Sequence, residues 1–392
     1  MVASLARLPD RNEELRPAAD EERLCSELLR RVASIREELQ ASTAESEAQQ
    51  HLSPASLALL KRHQLLNMRL MEEMGGMEAS IATQCKVLAA LAEADSATAW
   101  CAMVHNNGVG TLAAYFPSSA LTAIFADGPP VVSFVAGASG TARRTADGYA
   151  ITGRWRFCSG FHNADWIVCA VKLDDDSKLE LLIVVPQKDV TRHDNWNVSG
   201  LRGTGSIDFS LEDYHIPADR AIANVGRVQL RGNRLYGRPG ILIAIYEHAA
   251  FAWGIGRRAL ALLTEQAARL GPALATREIV AAEVSRLSVQ LEAASALMLE
   301  YYTTLETLTT EQSADPVVSA HGRAIAVHIT DVALACADTA FRRAGTKAAF
   351  LPNVIEGTLR DIKVAQAHIL VSDAAYAIHG SAIVAAHAAP AA

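Results

Sequence analysis

GRWRFCSGFHNADWIV, residues 153–168, is the stretch whose reading decides the fold. Tyr149 and Ile151 just upstream, then Trp155 and Phe157, alternate with small or polar residues, the period of a half-buried strand. The alternation stops at Cys158-Ser159-Gly160 and resumes at Trp166. A strand that breaks on a hydroxyl and a glycine between two tryptophans is either a plain turn or a place where something flat lies against the backbone.

On both sides of this stretch the chain reads as β. VVSFVAG, YAITGRWRF, WIVCAVKL, LELLIVVP and SIDFSLEDYHIP are short strand-like runs, separated by turn signals at Asp147-Gly148, at Asp174–Ser177 and in SGLRGTGS. Further out the character changes. Residues 1–128 read as helices: Leu24, Leu28, Val32, Ile35 and Leu39 fall on one face, and Ser53-Pro54 is a cap followed by a first-turn proline. The Ala-rich run that follows breaks at Asp95-Ser96, and Pro129-Pro130 ends the helical part. From 236 to 392 helices return. Val280, Val284, Leu287, Leu291, Ala294 and Met298 step by four and three, as in a bundle seam. PVVSAHGRAIAVHITDVALACADTAFRRAG and LRDIKVAQAHILVSDAAYAIHG read as two more helices, closed by Gly345 and Gly380. The expectation is an α+β chain, mostly α: an N-terminal helical domain (1–128), a central β-domain (129–235) and a C-terminal four-helix bundle (236–392).

The 392 residues carry a net charge of −7 with half of them hydrophobic, which argues against nucleic acid or an anionic membrane as partner. No signal-peptide core and no membrane-length apolar run is read, and the six scattered cysteines have no ligand spacing. The expectation is a cytoplasmic protein with reduced thiols and no metal site. Gly254-x-Gly256-x-x-Ala259 matches a dinucleotide fingerprint formally, but it lies inside a helical run, where small residues serve helix packing. Any reducing equivalents must then come from elsewhere.

Four motifs, in order, resemble the acyl-CoA dehydrogenase superfamily: MEEMGG with the following LAEADSATAW, GYAITGRWRFCSG, WNVSGLRGTGSIDFSLEDYHIP, and LRDIKVAQAH. The last two are similar to its two-component flavin monooxygenase branch. That resemblance implies the acyl-CoA dehydrogenase fold and a homotetramer. It also implies an oxygenase that takes reduced FMN or FAD from a separate NAD(P)H:flavin reductase. With O2 such an enzyme forms a C4a-hydroperoxyflavin and oxygenates a small organic, aromatic substrate. Dehydrogenases of the superfamily use a glutamate base. Here Glu356 precedes Arg360-Asp361, and His368 stands after that pair, an imidazole suited to a phenol or amine. His368 is therefore expected to deprotonate or orient the substrate, Ser159 to hold the flavin N5, and Gly160 to leave room for the ring. Trp155, Phe157 and Trp166 are expected to wall the flavin. His105 and Ser133 are expected at the substrate or the oxygen, Ser133 also at the flavin, and Arg277 at a flavin phosphate. Two other readings remain: a flavin dehydrogenase or oxidase acting on an acyl thioester, and a silent relative serving in assembly.

Overall fold

The computed structural model describes residues 15–177, 179–269 and 274–388, apart from the side chains of residues 243, 274–277 and 386–388. The chain opens with α1 (Ala18–Gln49), which buries Leu28, Val32, Ile35 and Leu39 while Leu24 is only half covered. Each such side chain contributes about 1.5–3 kcal/mol on burial. Ser53 caps α2 (Pro54–Arg62) by accepting the Ser56 N–H, as the Ser-Pro pair indicated. Asp95 ends α3 (Ile81–Ala94) and caps α4 (Ser96–Tyr115), its carboxylate taking the Thr98 N–H at 2.7 Å. Helix α4 is buried on every side, so it runs through the centre of the protein. A short α5 (Ser118–Ile124) precedes Pro129-Pro130.

Seven strands follow: β1 (Val132–Arg144), β2 (Gly148–Cys158), β3 (Trp166–Leu173), β4 (Glu180–Pro186), β5 (Thr191–His193), β6 (Ile207–Pro217) and β7 (Ala221–Ala223). They form one sheet in the order β5-β6-β2-β1-β3-β4-β7, antiparallel except for β1 beside β3. Strand β3 shows the two-residue period. Val168 and Ala170 pack against Leu112 of α4, Leu121 of α5 and Phe116 in the link between them. Ile167, Cys169 and Val171 join Ile151, Trp155, Ile183 and Phe209 in a second core on the other face.

The remaining helices are α6 (Gly240–Arg269), α7 (Leu274–Thr307), α8 (Thr310–Ser313), α9 (Pro316–Ala344), α10 (Val354–Gln366) and α11 (Ala374–Ala388). A Cβ on Gly254 would stand 2.2 Å from the Ala89 carbonyl, and one on Gly256 2.8 Å from Leu291 Cδ1. The two glycines let α6 press against α3 and α7, which is the helix-packing reading of that pair. Two expectations are corrected. Residues 359–380 are not one helix: α10 stops at Gln366, a 3₁₀ turn spans Ile369–Val371, and Gly380 lies inside α11. And among the described residues one helical span, Pro316–Ala349 (α9 with the 3₁₀ turn that follows it), is long and apolar enough by composition to cross a membrane, but 67% of its apolar window is buried inside the protein.

Candidate active site

Strand β2 does not keep its period through the opening stretch. Trp155 faces Phe209 on β6, whereas Cys158 faces Ile207, so three steps on β2 meet two on β6. The extra residue is absorbed at Arg156-Phe157, where Phe157 takes the left-handed φ of 60°. Trp155 and Phe157, which a two-residue period puts on one face, therefore point to opposite faces. Trp155 is fully buried in the sheet's own core, stacked on Phe209 at 5.0 Å and donating Nε1–H to the Ala170 carbonyl. Phe157 is 68% exposed and lines a cavity of about 510 Å³ between the sheet and helices α4 and α6. Trp166 sits at the start of β3 beneath the Arg220 guanidinium, 5.1 Å away, and does not line that cavity. Of the three expected aromatic walls, only Phe157 is at the cavity. Trp196, which the sequence reading passed over, stands beside it, ring centroids 6.5 Å apart.

Ser159 follows the bulge and is the centre of a hydroxyl relay. Its Oγ accepts from Trp100 Nε1–H at 3.0 Å and lies 2.7 Å from Ser206 Oγ. Ser206 Oγ is 2.7 Å from Thr204 Oγ1, which donates to the Leu201 carbonyl at 2.8 Å. Each hydroxyl has one hydrogen, and the two ends fix where all three go. Thr204 uses its hydrogen on Leu201, so Ser206 must donate to Thr204, and Ser159 to Ser206. Ser159 has no hydrogen left, and its unused lone pair is an acceptor for whatever lies in the cavity. Trp100, Ser159, Thr204 and Ser206 all line it.

Gly160 has φ +69° and donates its N–H to the Thr204 carbonyl. A Cβ there would stand 2.6 Å from Cε1 and Nε2 of His105. The room Gly160 leaves is thus filled by His105, from behind the cavity wall. His105 Nδ1 is 3.1 Å from the Val132 carbonyl, which only accepts, so the proton sits on Nδ1. Nε2 is buried without a partner, and burial lowers the ring's pKa to about 4. Ser133 is fully buried, and its hydroxyl donates to the Ser159 carbonyl at 2.9 Å. His105 and Ser133 therefore brace the Ser159-Gly160 backbone and are absent from the cavity lining, contrary to the expectation that they touch substrate or oxygen. His105 lies on the side of α4 that meets β1, where it reaches the Val132 carbonyl, and Ser133 lies on β1 itself, beside the Ser159 carbonyl.

His368 does line the cavity, in the break between α10 and the 3₁₀ turn. Its Nδ1 accepts the Leu370 N–H at 3.3 Å, so the neutral ring carries its proton on Nε2. Burial lowers its pKa to about 4. It packs on His248, centroids 4.2 Å apart, and His248 meets the edge of Trp100 at 5.1 Å. Burial, then the neighbouring His368, hold His248 well below the usual histidine range. Beside it on α6, Glu247 accepts from Asn107 Nδ2 at 2.9 Å, and its Oε1 has no partner. Burial raises its pKa to about 8, against the pull of Arg69 and Asn107. At neutral pH the cavity therefore holds unprotonated imidazoles next to a protonated carboxyl. The Arg277 side chain lies outside the described residues.

Family models for the acyl-CoA dehydrogenase N-terminal domain and C-terminal domain match residues 19–123 and 246–373. The chain belongs to the acyl-CoA dehydrogenase superfamily. Indole-3-acetate monooxygenase of Pseudomonas putida is 26% identical over 349 residues, 86% of this chain and 88% of that protein. The oxygenase component of an FADH2-dependent resorcinol hydroxylase from a Rhizobium species is 27% identical over 55% of this chain and 54% of its own. The structure of XiaF from Streptomyces with FADH2 and glycerol superposes with a TM-score of 0.85 at 23% identity, over 94% of this chain and 97% of that one. The fold is that of the acyl-CoA dehydrogenases, and within the superfamily the chain falls in the flavin-dependent monooxygenase branch.

Proposed function

We propose that this protein is the oxygenase component of a two-component flavin monooxygenase acting on a small aromatic substrate in the cytosol. The single observation that carries this reading is the polarised relay ending at Ser159. Its free lone pair suits a partner that offers an N–H, as the reduced isoalloxazine does at N5 and the oxidised ring does not. Phe157 and Trp196 offer the apolar surface that a flat ring requires. The residues present thus fit a reduced flavin, with Ser159, Phe157 and Trp196 as the groups that would hold it. When bound, reduced FMN or FADH2 supplies two electrons and activates dioxygen. With the flavin bound, one oxygen atom would enter the substrate and the other would leave as water. The relatives' names support an aromatic substrate, indole-3-acetate for one and resorcinol for the other.

The protein's own part is positioning and exclusion of water. Apolar side chains from three elements, Met103, Phe134 and Val364 among them, close the cavity. His368, with its proton on Nε2, would orient a substrate oxygen as a hydrogen-bond donor, which favours the orienting role over deprotonation. His105 and Ser133 would hold the Ser159 peptide in register. A homotetramer is proposed on family resemblance alone.

The test is to mix anaerobic protein and reduced FMN or FADH2 with isotopically labelled dioxygen and a panel of phenols and indoles. Product carrying one labelled oxygen is the expected result. Unlabelled product, or flavin reduction by an acyl thioester with transfer to a dye, would replace this reading with the dehydrogenase one.

A further inference from the structure

The hydroxyl relay ends at the carbonyl of Leu201, so the cavity-facing lone pair of Ser159 is only as well placed as that carbonyl. Leu201 is an unusual residue to carry it. Its φ is +53°, in the left-handed region that bulky side chains avoid, and it is buried. A strained residue of this kind persists only where its surroundings over-determine it, and such residues gather at functional sites. Its carbonyl accepts the Thr204 N–H at 3.1 Å and the Thr204 hydroxyl at 2.8 Å. At 3.3 Å it also takes Nε1–H of Trp196, which shares that hydrogen with the Arg202 carbonyl. Both the relay and one aromatic wall of the cavity are therefore fastened to one backbone atom.

Helix α10 holds Leu201 from the other side. Asp361 on that helix is buried, and its Oδ1 accepts the Leu201 N–H at 2.6 Å while Oδ2 accepts the hydroxyl of Ser96 on α4. The approach is close: a Cβ on Gly200 would stand 2.2 Å from the Arg360 carbonyl. Burial raises the pKa of Asp361 to about 6, with Ser96, Leu201 and Arg360 opposing the rise and Glu47 adding to it. At neutral pH the group is thus chiefly a carboxylate, with both oxygens accepting. Asp361 is absent from the lining of the aromatic cavity and borders a separate hollow of about 970 Å³ with Ser199 and Arg202. Whatever it does for the cavity it does through Leu201. The docking of α10 on α1 falls to a different residue, Arg360, which pairs with Glu47 at 2.7 Å.

We propose that Asp361 is a positioning residue for the flavin: by clamping the Leu201 N–H from outside the cavity it fixes the carbonyl that orders the hydroxyl relay and anchors Trp196. This rests on the oxygenase reading and deepens it by adding a residue that sets redox selection without touching the ring. The consequence of losing the clamp follows from the hydrogen count. A buried Leu201 N–H without an acceptor favours another backbone conformation, and the carbonyl turns with it. Thr204 is then free to donate to Ser206, and Ser206 to Ser159. Ser159 keeps its own hydrogen and turns it to the cavity. The relay reverses, and its end suits the bare N5 of an oxidised flavin in place of the N–H of a reduced one.

Two measurements on the full-length protein test this: amide hydrogen exchange of residues 196–206 without flavin, by mass spectrometry, and anaerobic titration with reduced and with oxidised FMN. Asp361→Ala should speed exchange in that segment and lower the preference for reduced over oxidised FMN about tenfold, roughly what one hydrogen bond contributes. Asp361→Asn keeps an acceptor for Leu201 and offers its amide to Ser96, so it should return the preference to within about threefold of the wild type. Arg360→Gln should lower the melting temperature by loosening α10 and leave the preference where it was. Should Asp361→Ala not fold, Asp361→Ser, too short to reach Leu201 and with room for a water, carries the same expectation. An unchanged preference in Asp361→Ala overturns the proposal. So does an equal fall in Arg360→Gln, which would make the effect one of helix docking, or an Asp361→Asn as poor as Asp361→Ala, which would put the charge in place of the clamp. Faster exchange in Asp361→Ala, in a protein that fails the labelled-oxygen test, would uphold the clamp and remove only the flavin it serves. Labelled product from a protein whose flavin preference Asp361→Ala leaves intact would do the reverse.

Discussion

Gly160→Ala probes the site wall more sharply than any other single change. Two costs add. At φ +69° an alanine gives up the freedom that glycine has in the left-handed region, about 1 kcal/mol. Its Cβ would also stand 2.6 Å from two atoms of His105. That ring has little room to retreat: it is 1% exposed and tied through Nδ1 to the Val132 carbonyl. Overpacking of this kind costs roughly 1–3 kcal/mol. The variant should therefore lose about 2–4 kcal/mol, read by urea denaturation followed by far-ultraviolet circular dichroism. His105→Ala alone removes a buried ring and a hydrogen bond and should also destabilise. In the double variant the overlap is gone and only the backbone strain of the alanine in place of Gly160 remains. The two single losses should then exceed the double loss by about 1–3 kcal/mol. Additivity within about 0.5 kcal/mol would refute the claim that His105 fills the space Gly160 leaves.

Trp100→Phe removes the N–H that fixes the upper end of the hydroxyl relay, so the preference for reduced over oxidised flavin, measured by anaerobic titration of each, should shrink. An unchanged ratio would separate the relay from redox selection. Glu247→Gln keeps the shape and removes the charge. The folded pKa of Glu247 is raised to about 8 from an ordinary 4.5, so its contribution to stability is fully present below pH 4.5 and is lost as pH rises through 8. The variant should gain on the wild type across that window, by on the order of 1–4 kcal/mol, in denaturation curves taken pH by pH. His368→Gln retains a hydrogen-bond donor and should keep more turnover than His368→Leu if the ring orients substrate. Equal losses of roughly a hundredfold or more in kcat would point to proton transfer instead.

Much of the fold was legible because periodicity reports burial. The four-and-three spacing of Val280 to Met298 marks the buried seam of α7, and Asp95 breaks the Ala-rich run because its carboxylate caps better than it propagates. The site was less legible, for reasons that can be named. Alternation tells which face a strand residue takes only while the register is unbroken. One extra residue at Arg156-Phe157 sends Trp155 into the sheet core and leaves Phe157 at the cavity. His368 read as mid-helix because apolar spacing continues through VAQAHILV, and nothing local announces that α10 stops at Gln366. Gly160 carried a true signal with the wrong partner: it makes room, but for a histidine behind the wall.

The groups sequence reasoning missed are those whose meaning comes from a partner far along the chain. Arg69 meets Asn107 across 38 residues, and Asn107 meets Glu247 across 140. None of the three stands in a spacing that carries chemistry. Their consequence is nevertheless specific. Asn107 takes Arg69 on its carbonyl and gives its amide to Glu247, so the amide stands between cation and acid and no ion pair forms. Burial then keeps Glu247 largely protonated at neutral pH, and Arg69 has no ion pair among the described residues. Asn107→Asp would put a carboxylate beside Arg69 and take the amide donor from Glu247, so the ion pair that the amide prevents should form, and the pH dependence of stability should change in denaturation curves taken pH by pH, whereas a profile identical to the wild type would refute the bridging role of the amide.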